Sequence, residues 1–352
     1  MLFRIWAAIE ESGFSVAGAP EELGGSAASW NELYVIVRAC GRYTVPAPLP
    51  EALLANWLLG RAGLEAVGGA LSIGAASTLV LENGKVSGQL TDVPWGRHVG
   101  HVVALAGAAT PAVVPELVPA ATRGAAPAGT PALAPALAPT LVLLRVQDAS
   151  RQTLRLNLAG EPRDDLHFEA AQPIATAALP SALPADVLLL GGAMLRSAQM
   201  AGTLQAALDM TARYATERSQ FGRPIAGFQA IQHRLAVLAE HTAGAMVASE
   251  AAFAESGDRL ATLPVMAAKV CASEAAGIAA DTAHAVHGAI GITQEHALHL
   301  LTQRLWAWRS EFGTLTFWAQ RIGRDVCAGG GRQFWPALTA AQDQPALTGE
   351  AR

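Results

Sequence analysis

Cysteine and histidine side chains, which most readily ligate metals or act as nucleophiles, are present but are not grouped into a recognisable site. Cys40, Cys271 and Cys327 lie far apart and form no CxxC pair, which argues against a zinc site and a disulfide framework and fits a reducing cytosol. The nine histidines are scattered without metal-ligand spacing. We therefore expect no metal site, and we expect most histidines, including His233 and His287, to be structural or exposed.

A second group of polar and aromatic residues follows the first long helical pattern of the C-terminal half. Arg218 stands beside Glu217, and Phe221 and Phe228 follow within ten residues. Taken singly, each has an ordinary interpretation. The arginine is typical of a surface ion pair, and aromatic residues at a helix turn are usually core.

Composition limits the class of protein. Of the 352 residues, 51% are hydrophobic and 15% are charged, which excludes a disordered chain and suggests extensive buried or subunit-facing surface. The net charge of -5 and the lack of any Lys/Arg run argue against nucleic acid and anionic membranes as partners. The apolar stretch Val187 to Met200 is cut by Gly191, Gly192 and Arg196, so we expect no membrane insertion. The N-terminal stretch turns acidic before it could form the apolar core of a signal peptide, so we expect no secretory signal and a cytoplasmic, oligomeric protein.

Residues 1–70 show helical spacing of apolar residues, whereas residues 71–185 show short apolar runs typical of strands. The stretch LVLENGKVSG predicts a hairpin with an Asn-Gly turn. HVVALAG, LVLLRV and TLRLNL are further candidate strands. Within this middle β-domain, an Ala/Pro-rich stretch at about 108–140 is expected to be a flexible surface loop or extended linker.

Residues 186–330 return to helical periodicity and predict a four-helix bundle, followed by a tail at 331–352. The fourth helix should begin near Thr293, a plausible N-cap residue. The fold class is therefore α+β and multidomain: a helical N-terminal domain, a β-barrel-like middle domain and a C-terminal bundle. The first three bundle helices are expected at Gly192–Arg218, Phe228–Glu255 and Leu263–His287, the last closed by Gly288.

Two segments carry a resemblance to a known family. ERSQFGRPIAGFQAIQHRLAVLAE, at residues 217–240, closely resembles the acyl-CoA dehydrogenase signature between the first two bundle helices. HAVHGAIGITQEHALHLLTQR, at residues 284–304, is similar to that family's later Gly-rich turn and helix start. The stretch with APEELGG before a helix also looks like the family, and the domain order is the family's architecture. The chain resembles its compact, divergent bacterial type, in which two unlike chains sometimes pair.

The resemblance implies an FAD site that lies between subunits. It assigns the FAD pyrophosphate to Arg218, whose planar fork suits phosphate oxygens. It places Gln220 and Phe221 beside the cofactor and Gln229 against its adenosine half.

The same resemblance assigns further residues near the cofactor. Gly288 and Gly291 would let the neighbouring subunit's backbone approach the dinucleotide. Thr293 and Glu295 would begin a helix whose dipole favours an anionic group. Trp95 would lie beside the flavin ring.

The family's reaction is α,β-desaturation of an acyl-CoA, in which a Glu removes the α-proton while the flavin takes a hydride. In the matching stretch, WRSEFGTLTFW, Phe312 stands at the base position and Glu311 one residue earlier, about 100° away if the segment is helical. The family's other base position falls near Gly192, where no carboxylate lies. The chain therefore offers no clean catalytic base, and Glu311 is the best of the candidates. The Gln usually found before the Gly-rich turn is Ala285 here, and the acidic, Gly-rich segment that lines the flavin has no clear counterpart.

Three functions remain open. The chain is expected to be an FAD-dependent acyl-CoA dehydrogenase-like subunit that acts on a fatty or bulky acyl-CoA and passes electrons to an electron-transfer flavoprotein. It would assemble as a homo-oligomer or with a related chain. The alternatives are a non-catalytic partner or scaffold subunit of a heteromer, favoured by the missing Glu, and a thioester-binding module without a redox role.

Overall fold

The computed structural model describes residues 2–107 and 139–330, with residues 332, 335, 336 and 339 beyond them. The loop predicted at about 108–140 and the tail predicted at 331–352 lie almost wholly outside the described residues. The chain divides into two compact units: Met1–Ser29 with Val45–Gly192, and Trp30–Thr44 with Ala193–Arg352. The domain boundaries expected near residues 70 and 185 stay predictions.

The described part of the first unit contains two whole α-helices and two β-sheets. Its helices are α1 (Leu2–Glu11) and α3 (Leu49–Arg61), while α2 (Trp30–Arg42) belongs to the second unit. The buried Asn56 of α3 satisfies its side-chain amide by donating to the carbonyl of Ser15 at 2.8 Å and accepting from the backbone N–H of Val67 at 2.8 Å. A polar side chain can be buried in this helix because its hydrogen bonds are made.

Two sheets face each other across one core, where the sequence predicted a β-barrel-like domain. One has the order β1 (Leu71–Gly74), β5 (His101–Ala106), β6 (Thr140–Arg145), β9 (Ala175–Ala178). The other has the order β2 (Ala76–Ser77), β4 (Lys85–Pro94), β8 (Arg163–Ala171), β7 (Arg151–Thr153), with β3 (Val80–Glu82) also paired to β4. β1 and β5 are parallel, and the other pairs are antiparallel. The inward side chains of both sheets form one buried cluster that includes Leu90, Val102, Val142 and Phe168.

The predicted hairpin is confirmed. β3 and β4 are joined by Asn83 and Gly84, whose φ angles of 50° and 75° are both left-handed. Two successive left-handed residues match the twist of the flanking strands, which is why Asn-Gly is a strong hairpin signal. The strands predicted from HVVALAG and LVLLRV are confirmed as β5 and β6.

The strand predicted from TLRLNL is mostly wrong. β7 ends at Thr153, and after it only Leu156 forms an isolated bridge, to Pro162. The chain turns at Asn157, whose side-chain oxygen accepts from the backbone N–H groups of Ala159 and Glu161. This local turn competes with the extended ladder that the alternating leucines suggested.

The helices of the second unit confirm the first three predicted bundle helices within a few residues, apart from an earlier start of the first. Besides α2, the described helices of this unit are α4 (Val187–Glu217, whose first residues belong to the first unit), α5 (Gln229–Ala254), α6 (Thr262–His287), α7 (Leu298–Trp308) and α8 (Leu315–Gly329).

The predicted start of the fourth bundle helix is wrong. The Thr293 hydroxyl donates to the Ile290 carbonyl at 2.9 Å, so it does not accept a helix N–H, and α7 begins only at Leu298. The helical run is also broken after Trp308, and α8 begins at Leu315 with the Thr314 hydroxyl as its cap. Two shorter helices therefore occupy the range expected for one.

Two described helical segments, Val187–Glu217 and Thr262–Ile292, could cross a membrane by length and composition alone. The most apolar window is 100% buried in the first and 56% buried in the second. Core helices have the same composition, so this is weak evidence for a membrane span. The absence of membrane insertion stays a prediction.

The crossing of α2 and α4 depends on glycine. A Cβ added at Gly202 would overlap the carbonyl oxygen of Arg38. We expect Gly202→Ala to lower the free energy of unfolding by about 1–3 kcal/mol, because backbone atoms cannot move away as a side chain can. Gly244→Ala is the matched control: a Cβ there meets nothing within 4 Å, and the change should stabilise α5 by about 0.5–1 kcal/mol. Urea unfolding measures the free energy of unfolding of both variants. Equal effects of Gly202→Ala and Gly244→Ala would contradict this close packing at Gly202.

Candidate functional site

An open groove of about 420 Å³ lies where the end of α4, the start of α5 and the end of α6 meet. Its apolar base contains Ile225, Ile231 and Val286. Four residues that the resemblance assigned to the cofactor also line it, namely Arg218, Gln220, Phe221 and Gly288. Segments about seventy residues apart in the chain thus form one site.

A tight turn between α4 and α5 positions Phe221. Gln220 pairs with Arg223 in a two-stranded ribbon, leaving Phe221 and Gly222 as its two-residue loop with φ angles of 52° and 81°. The glycine accommodates this left-handed conformation without strain. Phe221 is 93% exposed, and its ring approaches the edge of the Phe228 ring at 6.1 Å between centroids. Its alternative interpretation as a core residue does not hold, because the ring is exposed at the groove.

Arg218 directly follows α4, and its backbone N–H donates to the Tyr214 carbonyl at 2.9 Å. Its side chain is exposed in the groove, and no described residue forms an ion pair or hydrogen bond with its guanidinium. The surface ion pair with Glu217 is therefore not formed. The groove offers an unneutralised planar cation suited to phosphate or carboxylate oxygens.

The opposite wall comes from the end of α6. Gly288 ends the helix with φ 63° and ψ -142°, a conformation that is essentially restricted to glycine. Next to it, the His287 ring stacks on Tyr214, with centroids 4.4 Å apart and planes at 23°. Both residues line the groove. The sequence did not predict this pair, although the histidine stands directly before the glycine.

Other residues assigned by the resemblance do not line this groove. Gln229 is the exposed first residue of α5, and Glu295 is exposed in the turn before α7. Thr293 bonds within its own turn. Gly291 is buried, and a Cβ there would come within 2.8 Å of the Cβ of His287, so close packing inside this chain already requires glycine. Their cofactor roles stay predictions.

Trp95 belongs to the first unit and is buried with a left-handed φ of 58°. Asp164 fixes its turn by accepting from the backbone N–H of Arg97 at 2.7 Å and from the Arg97 side chain. Burial alone would raise the pKa of Asp164, but the hydrogen bonds from Arg97 and Arg155 outweigh it and lower that pKa. The turn is rigid, and the role of Trp95 beside a flavin stays a prediction.

Glu311, the candidate base, lies in the turn between α7 and α8. Its Oε2 accepts from Nε of Arg196 at 2.7 Å, and the two side chains are 15% and 1% exposed. Arg196 also donates to Gln199 and lies 5.2 Å from the centroid of the Phe312 ring. The carboxylate is therefore committed to a buried guanidinium. Protonating the carboxylate would weaken this buried ion pair, which makes Glu311 a poor general base.

A buried lysine holds the same turn. Lys269 donates from Nζ to the carbonyls of Trp308 and Arg309, both at 3.0 Å. Burial lowers the pKa of Lys269 to about 7, although Glu311 opposes that shift. Together with Arg196, this lysine anchors the end of α7. The surroundings of Glu311 are those of a structural network.

The comparisons with known proteins decide the family. Residues 187–326 match the model described as Acyl-CoA dehydrogenase, C-terminal domain. Acyl-CoA dehydrogenase IpdE2 of Mycobacterium tuberculosis is 30% identical over 300 residues, covering 84% of this chain and 77% of that protein. The chain belongs to the acyl-CoA dehydrogenase family. This family consists of CH–CH oxidoreductases that generally bind FAD.

Solved structures show the same fold. The ChsE4-ChsE5 complex from Mycobacterium tuberculosis matches with a TM-score of 0.74 at 22% identity, covering 92% of this chain and 87% of that chain. A variant of the Tcur3481-Tcur3483 steroid ACAD matches with a TM-score of 0.73 at 23% identity, covering 92% and 88%. At this identity the likeness establishes the fold alone.

The groove fits the phosphate-bearing part of FAD. Arg218 offers an unpaired guanidinium, Phe221 an exposed ring, and Gly288 a backbone without a side chain. Cation, aromatic face and accessible backbone are the groups that bind a nucleotide diphosphate.

Proposed function

We propose that this chain is an FAD-binding subunit of an acyl-CoA dehydrogenase that desaturates the α,β-bond of an acyl-CoA. The observation that carries the proposal is the groove in which Arg218, Gln220, Phe221 and Gly288 meet. These residues come from segments far apart in sequence, and the family resemblance had assigned each of them to the cofactor.

Each side of the groove contributes a different interaction. The Arg218 guanidinium would offset the charge of the pyrophosphate, and its fork would fix the orientation of the phosphate oxygens. The Phe221 ring would cover an apolar part of the dinucleotide. Ile225 and Ile231 exclude water beneath it, which strengthens the electrostatic attraction. When bound, FAD supplies the acceptor for the hydride from the acyl β-carbon.

The α-proton is better removed by a carboxylate of a related partner chain than by this chain's Glu311. The bond from Arg196 to Glu311 supports this assignment, since it occupies the carboxylate. The similar ChsE4-ChsE5 structure is a complex of two chains, and the Tcur3481-Tcur3483 protein is a steroid ACAD. We therefore propose a hetero-oligomer acting on a bulky acyl-CoA, with electrons passing to an electron-transfer flavoprotein.

The alternative is a non-catalytic partner subunit that completes a heteromer without contributing to the chemistry. The occupied Glu311 favours it, as does Ala285 in place of the family's usual Gln. The Arg218 guanidinium, which pairs with no described residue, argues against it, because a scaffold has no need of a cation in a groove.

Anaerobic titration of the purified complex with acyl-CoAs tests the proposal, because reduction bleaches the flavin absorption. We expect bleaching by a bulky acyl-CoA in both the wild type and Glu311→Gln, with rates within about threefold of each other. A general base contributes about 10²–10⁴-fold, so its loss would be unmistakable. A hundredfold slower reduction in Glu311→Gln would instead make Glu311 the base. No bleaching by any acyl-CoA in a flavin-loaded complex would favour the non-catalytic alternative.

A further inference from the structure

His287 is held firmly at the wall of the groove. It ends α6, is 3% exposed and stacks on Tyr214. Its Nδ1 lies 2.8 Å from the Ala283 carbonyl, which can only accept, so Nδ1 carries a hydrogen. The Tyr214 hydroxyl donates to the His287 carbonyl at 3.2 Å. These contacts fix both the ring orientation and the tautomer.

The other ring nitrogen has no such contact. Nε2 of His287 is buried and has no hydrogen-bond partner among the described residues. Leaving a buried polar atom unpaired costs about 1–3 kcal/mol, and such atoms need an explanation. His287 and Arg218 both line the groove, so a ligand that fills it lies between the arginine and the residue that bears this unpaired nitrogen.

We propose that His287 is a second phosphate ligand of the groove, and that it takes up one proton at Nε2 as the dinucleotide binds. The inference rests on the proposed function, because FAD supplies the phosphate. A neutral Nε2 presents a lone pair, which repels a phosphate oxygen, whereas Nε2–H donates to it. One N–H bond forms, and the proton comes from solvent.

The charges around the ring agree with a proton taken up only on binding. Burial lowers the pKa of His287, the Ala283 hydrogen bond opposes this, and His296 and His284 lower it further. His284 lies on the same helix, His296 on the turn before α7 with its ring 4.8 Å away, and Tyr214 on α4. Across the groove stands Arg218, also a cation. Without an anion beside it, His287 is thus neutral at pH 7.

The sign of the pH dependence follows from this proton. A bound phosphate raises the pKa of His287 above its lowered value in the free protein. Between these two pKa values only the complex holds the proton, so affinity rises as the pH falls, by up to about tenfold per pH unit. When the pH exceeds the pKa of His287 in the complex, this gain in affinity is lost.

The experiment measures FAD affinity by flavin fluorescence from about pH 5.5 to about pH 8.5, around the usual histidine pKa. It uses the chain together with its related partner. Calorimetry in buffers of different ionisation enthalpy counts the protons taken up. In the wild type we expect tighter binding at low pH and uptake of up to one proton. His287→Gln should bind with little pH dependence and about tenfold more weakly near pH 6. His233→Gln, which removes an exposed histidine, should keep the wild-type slope.

Each outcome decides a different claim. Binding of FAD that is independent of pH and takes up no proton would overturn the role of His287 and leave the proposed function intact. No binding of FAD at any pH would overturn both. The proton count on the wild type decides the matter even if His287→Gln fails to fold.

Discussion

Replacing Arg218 with alanine is expected to weaken FAD binding by about tenfold to a hundredfold, which corresponds to the about 1.5–3 kcal/mol of a hydrogen bond to a charged group. The guanidinium is exposed in the groove and unpaired among the described residues, so its removal breaks no internal contact. The unfolding temperature should therefore hardly change. Equilibrium titration with FAD, followed by flavin fluorescence, measures the affinity.

Two variants sharpen this result. Arg218→Lys keeps the charge but loses the planar fork, and it should recover only part of the affinity. Arg223→Ala removes a cation from the same turn that lies over the Phe228 ring at 4.2 Å and is absent from the groove lining. It should change FAD affinity by less than about threefold. Equal losses in Arg218→Ala and Arg223→Ala would mean that the turn acts only through its net charge.

Replacing Arg196 with methionine is expected to lower the free energy of unfolding by about 3–5 kcal/mol, because it removes one member of a largely buried ion pair with the Glu311 carboxylate. The Arg196 side chain is 1% exposed and its bond to Glu311 is 2.7 Å long. Urea unfolding followed by circular dichroism gives the free energy.

The control is the exposed ion pair of Arg42 and Asp209, whose side chains are 33% and 47% exposed. An exposed pair contributes about 0–1 kcal/mol, so a charge-removing change at Asp209 should be mild. Replacing Glu311 and Arg196 together should cost less than the sum of the single changes, since both charges of the pair are then removed. If Arg196→Met were as mild as the change at Asp209, the carboxylate would be free and Glu311 would again be a credible base.

The parts of the fold that depend on local chemistry could be predicted. Asn83 and Gly84 form the predicted hairpin turn, and Gly288 ends α6 as expected. Each of these positions needs a left-handed or otherwise glycine-favoured backbone conformation. Prediction failed where a side chain could form local hydrogen bonds that compete with the expected helix or strand. Thr293 looked like a cap but bonds back to Ile290, and Asn157 turns a segment that alternates like a strand.

Only the part of the candidate site that is formed by residues close together in the sequence could be predicted. Arg218 and Phe221 share one short turn, so a motif identifies them together. The stacking of Tyr214 on His287 joins residues 73 apart, and the bond of Arg196 to Glu311 joins residues 115 apart. No local pattern encodes such pairs, because they exist only once the helices have packed. For this reason the sequence presented Glu311 as a base candidate and could not reveal the guanidinium that occupies it.

The most direct test of the central claim, that this chain contributes an FAD site, is the visible absorption spectrum of the purified protein. It should be recorded for the chain alone and for the chain produced together with a related acyl-CoA dehydrogenase chain. We predict the bands of oxidised flavin in the complex, and their loss when Arg218→Ala is introduced. A complex that stays colourless with added FAD, or one whose flavin content is unchanged by Arg218→Ala, would contradict the account.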